Sequence, residues 1–206
     1  MRKVTVAVLL TALFGGVITI FWFQEAQYLL PTRVPADYQV VLPNEIIRFD
    51  SILIPGQHER PKLLHFFSPN CPCSRFNLAH FKSLTKTYGK EVDFYVVIED
   101  EGQVEAAKKK IDRDVTIVVD KNQALAKACG VYSTPQAAII QLDNKLYFRG
   151  NFNRSRYCTD PNSNFVQMAL DSLLNNKAAP FFSELATRSY GCEIDNEHTS
   201  DQPTIR

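Results

Sequence analysis

The chain of 206 residues predicts an α/β fold: a mixed central sheet with helices on both faces, preceded by one N-terminal transmembrane helix. Three observations predict it. Short apolar runs of strand length alternate with stretches of helix length in the order β-α-β-α-β-α-β-β-α, which calls for parallel crossovers and one hairpin. Asp143-Asn144, a hairpin turn signal, stands between the last two strand-like runs. An uncharged apolar run opens the chain.

That opening run extends from Val4 to Phe23, behind Arg2 and Lys3. At 1.5 Å per residue it reaches about 30 Å, the thickness of a bilayer's hydrocarbon core. Phe21, Trp22 and Phe23 close it, where aromatic rings favour the interface. The run is longer than the apolar core of a cleaved signal peptide, and no A-x-A-like site follows. An uncleaved signal-anchor is the expectation. The positive-inside rule then leaves Arg2 and Lys3 in the cytoplasm and the C-terminal domain outside, as in a single-pass inner-membrane protein facing the periplasm. That compartment permits disulfides.

The expected organisation is residues 1–3 cytoplasmic, 4–23 membrane-spanning, 24–59 a stalk and domain entry, 60–192 the globular domain and 193–206 a polar tail. Pro31, Pro35, Pro43 and Pro55 punctuate the stalk. Its short apolar groups, 40–42, 46–47 and 52–54, have the composition of edge strands.

In the domain, 62–68 is a short apolar run of the kind a sheet buried on both faces produces. A helix over 74–88 follows, with Leu78, Phe81, Leu84 and Tyr88 on one stripe and Gly89 as its stop. Strands are expected at 92–98 and 115–119, and helices at 103–111 and 122–129. The hairpin pairs 136–142 with 145–148, and a helix over 164–174 closes the domain. The formal charge of +1 gives no electrostatic footprint for nucleic acid. Lys108-Lys109-Lys110 reads as a solvated face.

The chemistry concentrates at Cys71-Pro72-Cys73-Ser74-Arg75, where a strand runs into a helix. Pro72 suits the first helical position. Cys71 is therefore the N-cap, with Cys73 in the first turn and Ser74 third. A thiol there meets unpaired N–H groups and the positive end of the helix dipole, which favour the nucleophilic thiolate. Ser74 could donate a hydrogen bond to that thiolate and Arg75 could supply positive charge; Arg75 is equally readable as an ordinary exposed residue. Residues two apart on a helix do not face each other, so a Cys71–Cys73 bridge would be strained and easily reduced. Cys129, beside Gly130, reads as a buried free thiol. Five cysteines leave one over if two bridges form.

Leu64 to Cys71 ahead of the helix, and Gly130-Val131-Tyr132-Ser133-Thr134-Pro135 ahead of the later strand, resemble the thioredoxin superfamily. The similarity is to its membrane-anchored, extracytoplasmic thioredoxin-like and redoxin members, and it covers about residues 60–175. It implies a thioredoxin-like fold and thiol-disulfide oxidoreductase activity needing no cofactor. Cys71 would attack, and Thr134-Pro135 would be a cis-proline pair that docks the partner's chain. The partners implied are thiol- or disulfide-containing proteins or small thiols, with the membrane reached through the N-terminal helix. The chain departs from C-x-x-C: Ser74 stands where a resolving cysteine would, so Cys73, another cysteine or a small thiol must resolve. Cys158 and Cys192 are a candidate structural bridge, with the alternative that one of them resolves Cys71.

Two other functions remain open. A copper-binding metallochaperone could use Cys71 and Cys73, since paired thiolates suit Cu(I); no histidine is near Pro135 in sequence, and His80 lies roughly 10 Å from Cys73 along the helix. His65, on the first strand, reads as a packed histidine. A thiol peroxidase would carry a Thr just ahead of its cysteine, where this chain has Pro69 and Asn70.

Overall fold

A computed structural model of the chain describes residues 2–24, 30–48, 59–154 and 158–194. Two compact units make it up, Met1–Pro31 and Thr32–Arg206. The first contains α1 (Arg2–Gln24), 23 residues long, with a mean hydropathy of 2.4 in its most apolar window. It is long and apolar enough to cross a membrane.

The second unit is built on a five-stranded sheet in the order β3-β2-β1-β5-β6. Its strands are β1 (Lys62–Phe66), β2 (Asp93–Ile98), β3 (Thr116–Val119), β5 (Gln136–Ile140) and β6 (Leu146–Gly150). β1, β2 and β3 run parallel, whereas β5 and β6 are antiparallel. β1 is central and buried at every residue, because it is paired on both edges and covered on both faces.

Side-chain alternation divides the core. One face sets Leu63, Phe94, Val96 and Ile139 in one cluster with Phe81 and Leu84 of α2 (Pro72–Tyr88) and Val166 and Leu170 of α5 (Phe165–Leu174). The other groups Leu64, Phe66, Tyr95 and Val97 with Leu125 and Ala126 of α4 (Ala124–Ala128). The expected mixed sheet with helices on both faces is thus present, and Thr134-Pro135 is a cis peptide. The fold is thioredoxin-like.

Several elements differ in extent. The helix expected over 103–111 is a 3-10 turn, Glu101–Gln103, followed by α3 (Val104–Lys108). α4 is short because its start is pinned by Asp120, whose carboxylate accepts from the Leu125 and Ala126 N–H groups at 3.0 and 2.8 Å. The 46–47 group does flank the sheet: Ile46 bridges Lys145, and Leu146 N–H donates to the Glu45 carbonyl at 2.9 Å. The 52–54 group and residues 195–206 of the tail lie outside the described residues. Three short elements are additional: β4 (Ser133–Thr134), α6 (Glu184–Thr187) and β7 (Cys192–Glu193). They decide the site.

Candidate functional site

β1 ends at the centre of the sheet, and the turn after it delivers Cys71 to the start of α2. Cys71 is the N-cap in an extended conformation and Pro72 is the first helical residue, as the sequence predicts. The Cys71 side chain makes no capping hydrogen bond, and it stands at the positive end of the helix dipole, which favours negative charge there. The turn is held by Ser68 N–H donating to the Ser74 hydroxyl at 3.3 Å and Cys71 N–H donating to the Ser68 carbonyl at 3.2 Å. The fully buried Ser74 therefore ties down the loop. Arg75 is exposed.

Cys71 is disulfide-bonded to Cys192, across a separation of 121 residues and a Cα–Cα distance of 6.1 Å. This replaces the candidate Cys158–Cys192 bridge and the possible Cys71–Cys73 one, and it agrees with the alternative in which Cys192 acts on Cys71. The reason is tertiary: β7 pairs antiparallel with β4, setting Cys192 opposite Thr134, and Thr134 borders Cys71. The Cys71 sulfur lies 3.5 Å from the Thr134 carbonyl oxygen, a contact in the disulfide and a position from which the reduced thiol can donate. Cys71 is 3% exposed, whereas Cys192 is half-buried.

The other cysteines lie elsewhere. Cys73 is buried in the first turn of α2, where a two-residue offset turns it away from Cys71. Cys158 donates its thiol hydrogen to Asn77 Oδ1 at 2.6 Å, and burial pushes its pKa up to about 12. Cys129 is fully buried, and desolvation, reinforced by Asp120, pushes its thiol up further. Both thiols are poor nucleophiles at neutral pH.

Other residues serve the site without advertising themselves in the sequence. Lys110, half-buried at the end of the lysine run, donates from Nζ to the Pro69 carbonyl at 2.7 Å and so braces the loop before Cys71. Lys108, by contrast, is solvated as expected and pairs with Glu105. Gly191 (φ +154°) passes so close to Thr134 that a Cβ there would collide with its carbonyl. Thr32 holds the same segment, its N–H donating to the Ser189 carbonyl at 2.9 Å and its hydroxyl to that of Gly191 at 3.2 Å. Spacing alone could signal none of these contacts. Among the described residues no group of three or more His, Cys, Asp or Glu is placed to hold a metal ion.

The chain is similar to several proteins of known structure. A hypothetical protein from Sinorhizobium meliloti 1021 is 19% identical with a TM-score of 0.56, over 66% of this chain and 80% of that one. An uncharacterized conserved protein from Geobacillus kaustophilus is 23% identical with a TM-score of 0.58, over 69% and 80%. A thioredoxin-like protein solved in its oxidized form is 17% identical with a TM-score of 0.48, over 71% and 95%. No curated protein is detectably similar to the chain. Residues 44–194 match the family described as a domain of unknown function, DUF6436, and the chain belongs to that family.

Proposed function

We propose that this protein is a membrane-anchored, extracytoplasmic thiol-disulfide oxidoreductase whose redox pair is Cys71 and Cys192. One observation carries the reading: a cysteine at a helix N-terminus, on a thioredoxin-like fold, is disulfide-bonded to a half-buried cysteine on a strand beside Thr134-Pro135. Cys192 takes the resolving role that Cys73 had in the sequence reading. Ser74 and Lys110 position the loop, and Thr134-Pro135 docks the partner.

In the reduced protein the Cys71 thiolate attacks one sulfur of a partner's disulfide. A Cys71–partner bond forms, and the partner's other sulfur leaves as a thiolate that is protonated from solvent. The Cys192 thiolate, its own proton lost to solvent, then attacks the Cys71 sulfur, restores Cys71–Cys192 and releases the partner's second thiolate. The partner gains two electrons and two protons from the cysteine pair. Run backwards, the same steps oxidise a dithiol, and the relative reduction potentials set the direction. The helix terminus favours Cys71 as both nucleophile and leaving group. α1 anchors the domain in the membrane, and the disulfide suits an extracytoplasmic compartment.

The test is turnover of a disulfide-linked peptide by the full chain in detergent micelles with a dithiol as reductant. Cys71→Ser should abolish it; full activity in that variant overturns the assignment. Protease added to intact spheroplasts should cleave the domain if it is extracytoplasmic, and protection overturns that placement.

A further inference from the structure

β7 sits on the edge of the Ser133–Thr134 segment as a short, two-residue pairing, with Ser133 opposite Glu193 and Thr134 opposite Cys192. Ile194 N–H extends the contact by donating to the Tyr132 carbonyl at 3.2 Å. An extended segment adding itself to a strand edge, with a cysteine at the reactive sulfur, is how a bound partner would be presented. Here the chain's own C-terminal segment supplies it.

Two features bear on what this edge is for. First, polar side chains are buried at and beside the pairing: Ser133 and Thr134 on β4, Ser189 just ahead of Cys192, and Gln136 just past Pro135. Ser133, Ser189 and Gln136 are each 0% exposed, and Thr134 2%. Second, the fit at the residue before Cys192 is steric. A Cβ at Gly191 would meet the Thr134 carbonyl and lie 3.2 Å from the Pro135 ring. The groove therefore accepts backbone alone at that position.

We infer that residues 189–194 are a self-bound stand-in for substrate: on reduction of Cys71–Cys192 they leave the Ser133–Thr134 edge, which then takes an extended partner segment whose reacting cysteine follows a glycine. The inference rests on the oxidoreductase reading above and adds to it a substrate class and a gate. Because strap and partner compete for one edge, the attack of Cys192 on the mixed disulfide also displaces the partner. Resolution and release become one event.

Two measurements on the full chain in detergent test this. In hydrogen exchange, the Ile194 amide should be protected in the oxidised protein and exchange freely after reduction; equal protection in both states overturns release of the strap. In the second, reduced Cys192→Ser protein meets the hexapeptide Ser-Tyr-Gly-Cys-Glu-Ile, its cysteine carried as a mixed disulfide with 5-thio-2-nitrobenzoate. Cys71 takes the peptide sulfur and the coloured thiolate leaves, with reduced Cys71→Ser protein giving the background from the other thiols.

Replacing the peptide's glycine by valine should slow the Cys71 reaction about tenfold or more, the scale set by inserting methyl groups that packing cannot accommodate. Equal rates for the two peptides, alongside reaction with a small aromatic disulfide, overturn the glycine requirement and leave the oxidoreductase reading standing. Failure of Cys71 to react with any of the three overturns both.

Discussion

Thr134 and Cys192 face each other across an antiparallel pair of strands that are distant in sequence, and the Thr134 carbonyl touches the sulfur to which Cys192 is bonded. In the proposed mechanism the docking residue and the resolving residue therefore share one edge.

This arrangement separates the roles of the cysteines. Cys192→Ser should lose turnover yet accumulate a mixed disulfide at Cys71, visible as a partner-sized mass shift on non-reducing gels. Cys73→Ala should keep turnover, because the cysteine bonded to Cys71 is Cys192 and not Cys73. Loss of the resolving step in Cys73→Ala, with Cys192→Ser active, would return the role to Cys73.

The disulfide also constrains the unfolded chain. A closed loop of 121 residues has a large closure entropy, and removal of such a bridge costs about 2–5 kcal/mol. Urea denaturation of the oxidised and reduced protein should show a difference of that order. Equal midpoints would mean that the bridge constrains little in the unfolded state.

His65 predicts acid sensitivity. It is fully buried against Phe67, Phe81 and Phe152, neither ring nitrogen has a partner among the described residues, and desolvation lowers its pKa to about 3. The unfolded chain binds this proton near the ordinary 6.5 and the folded protein does not. The contribution to stability is therefore complete above pH 6.5 and is lost as the pH falls toward 3. Between pH 6.5 and 4 the loss should be about 3 kcal/mol. His65→Phe should flatten this part of the stability profile; an unchanged profile would assign the sensitivity elsewhere.

Lys110 bears on reactivity through the loop it braces. Lys110→Met removes a charge and a hydrogen bond to the Pro69 carbonyl, two residues before Cys71. Alkylation of reduced Cys71 at neutral pH should slow about threefold, with the rate profile moved to higher pH, and Lys110→Arg should restore part of it. Unchanged alkylation in Lys110→Met would confine the contact to a structural role.

The sequence by itself determined the elements and half of the site. Apolar runs at strand spacing, the Pro72 signal at a helix start and the Asp143-Asn144 turn are local, and local sterics and patterning suffice to specify them. Cys71 as the N-cap was legible for the same reason, whereas Thr134-Pro135 as a cis pair beside it was implied by the resemblance to the thioredoxin superfamily. The partner of Cys71 was left open, with Cys192 among the alternatives to Cys73. Cys192 reaches Cys71 only because two-residue strands, too short to leave a periodic signal, pair across the sheet's end. Lys110 reads as part of a solvated run until the fold carries it over Pro69, and only the fold sets Gly191 against Thr134. Pairing, close approach and burial are properties of residues far apart in the chain, and only tertiary packing brings them into contact.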